Sequence, residues 1–343
     1  MKRRARVFNL AVLAVGLLAL AFFLNELGWD GVDQAFEVGG WFAVLAAIDL
    51  ASVLCDAFAV HGYLRPRVRV SYPRVLGAQA SGLAINRLTP GNSLGEPVKV
   101  TMLVRYVPVD AAVSAIVMFN LTTYYVAIAA LVIGVPLTAT LLDLPHQLAI
   151  AVWLAAGVLD VVAVALAVVV RRGAVGTIID GAVAIRVVSR ARGDRWHARI
   201  ATIDATVREL GRPESGFRRG LAGVVGSRLL NWTGTIVVLH ACAITLTLPL
   251  VVATLSVGIL VTWMTNVIPL GLGIADGANY MLYDLLGATS KAGLLFTMVN
   301  RLRTVVLAIL GLAIMAIANA VYRSEPHDER VAGAAPVQSG EAP

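Results

Sequence analysis

Hydrophobic positions occupy this chain in long runs, not in alternation. Runs over Val7–Leu24, Trp41–Val60, 110–133, 147–170, 220–246, 250–268 and 292–321 are each near the length a helix needs to cross the hydrocarbon of a bilayer. Backbone N–H and C=O groups in lipid find no water, so such runs predict helices whose hydrogen bonds close within the segment. The even alternation of an outer-membrane barrel strand is absent. The predicted fold class is all-α, a polytopic membrane helical bundle of about seven to nine helical segments.

Two apolar segments are broken in the middle. Val75–Leu103 is interrupted by Asn86, Arg87, Pro90, Gly91 and Gly95, and Asn266–Gly287 by Pro269, Gly271, Gly273 and Asp276. Each reads as Asn, apolar residues, Pro, a Gly-rich turn, and then a carboxylate (Glu96 or Asp276) opening a new helix. One lies in each half of the chain, 1–170 and 220–321, which predicts two broken, re-entrant segments in a pseudo-repeat. Proline removes a backbone donor and glycine permits a sharp turn, so the helix stops. The freed backbone groups must then line a polar cavity or hold a ligand. The N-terminus of the following half-helix carries partial positive charge and free donors, suited to phosphate or carboxylate. The candidate binding residues are therefore Asn86, Arg87, Ser93, Gly95, Glu96 and Lys99 at the first break, and Asn266, Gly271, Gly273 and Asp276 at the second. Arg301, near the start of the last run, joins them as a cation.

The first break also spells G-x-S-x-G at Gly91, Ser93 and Gly95, the pattern of a serine-hydrolase nucleophile elbow. That elbow needs a preceding strand and downstream acid and histidine partners. Here an apolar helix precedes it, and His146, His197, His240 and His327 lack a companion acid. Ser93-Leu94-Gly95-Glu96 fits the S-x-x-E capping box instead, with Ser93 capping the second half-helix and Pro97 in its first turn.

Polar residues recur on helical faces inside the spans. Asp49, Ser52 and Asp56 share one face of the second run, and Arg228, Asn231 and Thr235 share a face of a later one. Asp276, Tyr280 and Asp284 line the half-helix after the second break, and Asp160 stands alone in the fifth apolar run. Buried acids neutralised by arginines are one account of these residues, and a polar ligand site is the other.

Composition agrees with the pattern: of 343 residues, 58% are hydrophobic and 14% charged, against roughly a quarter charged in soluble domains. The net charge of +7 sits mostly between the runs, as the positive-inside rule requires, so nucleic acid is not an expected partner. MKRRAR before the first run predicts a retained first helix with a cytoplasmic N-terminus in the inner membrane. Residues 171–219 form an Arg-rich cytoplasmic connector with amphipathic helical spacing at Ile200, Ile203, Val207 and Leu210. Residues 1–323 are expected to form one membrane domain, followed by a disordered polar tail, 324–343. Cys55 and Cys242 both lie in apolar runs, so neither a metal site nor a disulfide framework follows. No P-loop and no dinucleotide fingerprint is present, and no cofactor is expected.

Pro90, Gly91, Gly95, Glu96 and Lys99 resemble the first motif of the flippase-like transmembrane region of lysylphosphatidylglycerol synthases and their stand-alone relatives. The G-E-P-V-K form is similar to that of the hopanoid-associated subset. Pro269, Gly271, Leu272, Gly273 and Asp276 are similar to the second motif, with Leu270 in place of a glycine and Asp276 in place of Glu. Arg301-Leu302 matches the start of the family's last span. The resemblance covers about 10 to 320 and implies the membrane part without the soluble synthase.

The resulting expectation is a non-enzymatic membrane protein that binds an anionic or phosphate-bearing lipid and moves it between leaflets. The lipid could be a phospholipid, a polyprenyl-linked lipid or a hopanoid-related one. Glu96 and Asp276 would order the turns or take part in proton or cationic-head-group coupling. The alternatives are a membrane transferase with Glu96 or Asp276 as general base, and a membrane subunit holding a soluble synthase through 171–219. Self-association is a further partner expectation.

Overall fold

The computed structural model describes residues 38–66, 68–89, 94–141, 216–265 and 290–324, with isolated positions at 18, 150, 153, 154, 157, 158, 161, 279, 280, 282, 283 and 286. Seven helices are found there: α1 Trp41–Leu64, α2 Tyr72–Leu88, α3 Gly95–Leu103, α4 Val109–Leu141, α5 Arg218–Ala241, α6 Leu248–Thr265 and α7 Ser290–Ser324. Four of them, α1, α4, α5 and the stretch Leu295–Val321 of α7, are long and apolar enough to cross a membrane. The all-helical membrane bundle expected from the runs is thus the observed class. Most of the run 7–24, Asp160, most of the connector 171–219, the tail beyond Ser324 and the stretch Asn266–Asp276 of the second break lie outside the described residues.

The distribution of polarity is inside out. Asp49 and Asp56 on α1 are 4% and 5% exposed, whereas Leu50, one residue along, is 53% exposed. Leu54 and Phe58 continue the apolar outer stripe of α1, Leu229 lies outward on α5, and Ile317 on α7. In water this would be an unstable arrangement. Against hydrocarbon it is the favourable one, because exposed apolar side chains meet lipid and carboxylates find partners in the protein.

Lipid supplies no hydrophobic force between helices, so close packing of small residues and interhelical hydrogen bonds must hold them. α1 packs antiparallel on α5: Gly62 meets Gly220, Ala59 meets Gly223, and Ile48 meets Gly234. α2 packs antiparallel on α7, with Ala80 and Ala84 at Gly311 and Gly77 at Ala318. α4 packs on α6 where Gly134 admits Ser256, and the Thr138 hydroxyl shares a 3.1 Å hydrogen bond with that of Ser256. Each pairing joins the first half of the chain to the second. The contact at Gly134 and Thr138 also explains why α4 continues through Pro136 to Leu141, beyond the expected end near 133.

One end of the bundle gathers the C-terminal end of α1, the start of α2, the end of α3 and the start of α5. It collects Arg65, Arg69, Arg74, Arg105, Arg218 and Arg219. Arg74 lies over the Tyr106 ring at 4.5 Å, and Arg105 donates to Asn319 near the end of α7 at 2.7 Å. A large apolar cluster (Val60, Tyr63, Val75, Ile85, Val98, Ile116, Leu312 among others) fills this end. A second cluster, with Leu45, Leu239 and Tyr283, fills the other.

The α1–α5 contact yields a prediction. A Cβ on Gly223 would sit 2.7–2.9 Å from the Ala59 and Cys55 backbone, whereas on Gly226 it would meet only the Cys55 sulfur at 3.6 Å. Gly223→Ala should lower stability in detergent by about 1–3 kcal/mol through overpacking. Gly226→Ala should be neutral or slightly stabilising, and thermal unfolding of the two variants side by side checks this.

Candidate functional site

The first break forms as the sequence dictates. Pro90 disfavours helical backbone at the residue before it, and Thr89 is extended at φ −115°, ψ 142°. Its hydroxyl turns back to the Ile85 carbonyl at 2.8 Å, closing the last turn of α2. α3 begins at Gly95, with Pro97 in its first turn, where a missing N–H costs little. α2 and α3 then lie against each other as a hairpin. At their closest approach Gly82 faces the Gly95 carbonyl and the Lys99 stem, and a Cβ on either glycine would collide. Arg74 near the start of α2 and Tyr106 just past α3 meet at one end, so the hairpin enters and leaves on the same side. α2 is about 25 Å long and α3 about 13 Å by helical rise.

The tip of the hairpin is held by side-chain hydrogen bonds. Asn86 Oδ1 accepts from the Gly95 N–H at 2.6 Å, capping α3 from the preceding helix. Asn86 Nδ2 donates to Glu96 Oε1 at 3.0 Å, and Lys99 Nζ donates to the same oxygen at 2.8 Å. Asn120 of α4 donates to Glu96 Oε2 at 3.0 Å. Three donors, one of them a cation, therefore fix Glu96 as a carboxylate. Lys99 is buried, with its ammonium 5.3 Å from the Phe119 ring centroid.

A polar layer lies next to this tip, between the two apolar clusters. On α1 it comprises Asp49, Ser52 and Asp56, and on α5 Ser227, Arg228 and Asn231, near mid-length of both helices. The Ser52 and Ser227 hydroxyls are 3.0 Å apart, and Asn231 Nδ2 donates to Ser52 at 2.6 Å. α7 adds Arg303, whose Nε and Nη2 form a two-point pair with Asp49 at 3.0 and 2.6 Å and whose Nη1 donates to Asn300 at 3.0 Å. Arg87 at the end of α2 donates to Thr304 of α7 at 3.2 Å. Asp56 lies within electrostatic range of Arg228, Lys99 and Arg87. The layer with its adjoining tip thus holds the cations Arg87, Lys99, Arg228 and Arg303 against the carboxylates Asp49, Asp56 and Glu96. Among the described residues no group of His, Cys, Asp and Glu side chains is placed to hold a metal ion.

The family model of the lysylphosphatidylglycerol synthase TM region matches residues 9–311. The chain belongs to that family. It is a multi-pass membrane protein of a family related to lipid handling. No curated protein and no solved structure matches the chain, and the match does not single out a hopanoid-associated subset.

Of the residues that resemble the family's first motif, Gly95, Glu96 and Lys99 are described, and Pro90 and Gly91 lie outside the described residues. Of the residues expected to form the site, Asn86, Gly95, Glu96 and Lys99 come together in one network, and Arg87 reaches the neighbouring polar layer. Arg301 lies on α7 beside Arg303 and contacts Met298 Sδ at 4.0 Å on its own helix. Ser93, Asn266, Gly271, Gly273 and Asp276 lie outside the described residues. The N-cap of α3 falls at Leu94, which makes no side-chain cap, and the capping oxygen comes from Asn86. Asn120, Gly82 and Thr304, with Ser227 and Asn300 of the polar layer, escaped the sequence reading. Asn120 had a signal, a lone amide in an apolar run. Gly82 and Thr304 had none, because their roles exist only once helices distant in sequence are packed.

Removing the Glu96 charge leaves Lys99 buried without its partner. Glu96→Gln should therefore cost about 3–5 kcal/mol of stability. Adding Lys99→Met should recover part of that loss, so a double-mutant cycle on thermal unfolding in detergent should give a clear coupling energy. Additive losses would mean that the pair contributes nothing.

Proposed function

We propose that this protein binds a lipid with an anionic or phosphate-bearing head group and translocates it between the leaflets of the inner membrane. The observation that carries the reading is the polar layer at mid-bundle, richer in cations than in carboxylates, set behind an apolar outer face and beside a broken helix. Such a layer is costly unless it meets a charged group. Arg87 and Arg228 would fork a phosphate, and the acyl or isoprenoid tail would stay along the apolar exterior. The α2–α3 hairpin would re-enter the membrane from the cytoplasmic side. Its open end lies among the basic residues that the positive-inside rule assigns to the cytoplasm, and the N-terminus, with its own MKRRAR run, would lie on that side as well. With no P-loop in the sequence, transport would be downhill or ion-coupled.

The transferase reading asks Glu96 to act as a general base. Its lone pairs already accept from Asn86, Lys99 and Asn120, and those contacts would have to break first. They weigh against that role.

The test is lipid movement in proteoliposomes with fluorescent phosphatidylglycerol, phosphatidylethanolamine and a polyprenyl phosphate. The wild type should move an anionic lipid, and Arg87→Gln should slow that movement by about tenfold or more, the loss of one charge-assisted contact. Failure to move any of the three, with or without a proton gradient, would remove the basis for translocation.

A further inference from the structure

The three carboxylates at the centre of the bundle are not equivalent. Asp49 is held at two points by Arg303. Glu96 accepts from three donors. Asp56 is 5% exposed, sits between the two apolar clusters, and its Oδ1 has no hydrogen-bond partner. Two cations within electrostatic range also have unfilled donors: Arg87 Nε and Arg228 Nε are buried without acceptors. An unpaired carboxylate oxygen and two unused guanidinium donors thus share one region, and no contact satisfies them.

The charged and titratable groups around Asp56 can be named by helix. Its own helix carries Asp49, Cys55, His61 and Tyr63. α5 presents Arg228, α2 Arg87 and α3 Lys99, while Glu96 of α3 and Arg303 of α7 lie one partner further, bonded to Lys99 and Asp49. α4 contributes the uncharged Asn120 and Thr122, bonded to Glu96 and Tyr63. Lys99 and Arg303 are committed to Glu96 and Asp49. Arg228 and Arg87 are therefore the cations whose field opposes the cost of burying a charged Asp56, and they are also the ones with donors to offer an anion.

We propose that Asp56 is a proton-binding site linked to anion occupancy. When the phosphate of a head group takes the donors of Arg228 and Arg87, Asp56 loses its countercharge and Oδ1 binds one proton from water. When the phosphate leaves, the O–H bond breaks and the proton returns to water. The ligand chemistry is a phosphate ester anion, and each one bound carries a proton with it, which would make transport proton-coupled. The inference rests on the head-group reading above. By linkage, a proton bound with the anion means that the anion binds more tightly at lower pH.

The experiment measures proton uptake by the purified protein in weakly buffered neutral detergent, with a pH dye, as phosphatidylglycerol is added. Its phosphodiester does not titrate near neutrality, so protons taken up go to the protein. Lipid binding is followed in parallel. Wild type should take up about one proton per lipid bound, and its affinity should fall by as much as about tenfold per pH unit as pH rises. Asp56→Asn should bind the lipid without proton uptake and without that pH dependence. Glycerophosphoglycerol forms a second arm: uptake there too supports the link and makes the soluble phosphodiester sufficient. Uptake with the lipid alone supports it and ties it to the membrane-held head group. Binding without proton uptake in wild type overturns the link while leaving the head-group reading intact. So does undiminished uptake in Asp56→Asn. Absence of any binding overturns both. If Asp56→Asn does not fold, the pH slope of wild-type affinity decides alone, a flat slope counting against the proposal.

Discussion

Backbone opened inside an apolar bundle must find its hydrogen-bond partners within the protein. That constraint organises the centre of this structure. Pro90 ends α2, and the first donor of α3, the Gly95 N–H, would be left unpaired in a medium without water. Asn86, one turn before the break, supplies the acceptor. Its amide then has a donor to place, and Glu96 receives it. A carboxylate at that depth needs further donors, which come from Lys99 and Asn120. Each polar group calls for the next, and the chain of partners closes only when α4 packs against the hairpin.

Close packing follows from the same requirement. Lys99 can reach Glu96 only along the face where Gly82 has no side chain, since its stem fills the space a Cβ would take. The hairpin is then fixed from outside by α7, which runs antiparallel along α2 through Gly311 and Ala318 and ends at the Arg87–Thr304 contact. Because α1 packs on α5 and α2 on α7, the polar layer is assembled from both halves of the chain.

Much of this was legible in the sequence. The spans follow from run length, and the first break from Pro90 and its glycines. The opposed polar faces of α1 and α5 follow from the spacing of Asp49, Ser52 and Asp56 and of Arg228, Asn231 and Thr235. What periodicity cannot give is partner choice. Asp49 could have met Arg87, Arg228 or Arg303, and only the antiparallel register of the packed helices selects Arg303. The capping box illustrates the same limit. Ser93-Leu94-Gly95-Glu96 has the right local spacing, yet Glu96 is drawn to Lys99 and two amides.

The distribution of satisfied and unsatisfied groups then separates scaffold from working parts. A buried ion pair adds little net stability, but losing one partner is severe, so Asp49–Arg303 and Glu96–Lys99 act as locks on geometry. Locks of that kind cannot also exchange ligands, because every exchange would expose a buried charge. On the proposed reading, a protein that handles charged head groups needs some groups left unpaired, at a cost in stability. Asp56, Arg87 and Arg228 retain unpaired atoms in the interval between two apolar clusters that hold the helices apart at fixed distance. The same reasoning explains why the unpaired set contains both signs. A lone excess of arginines would repel itself, and a neighbouring carboxylate relieves that repulsion.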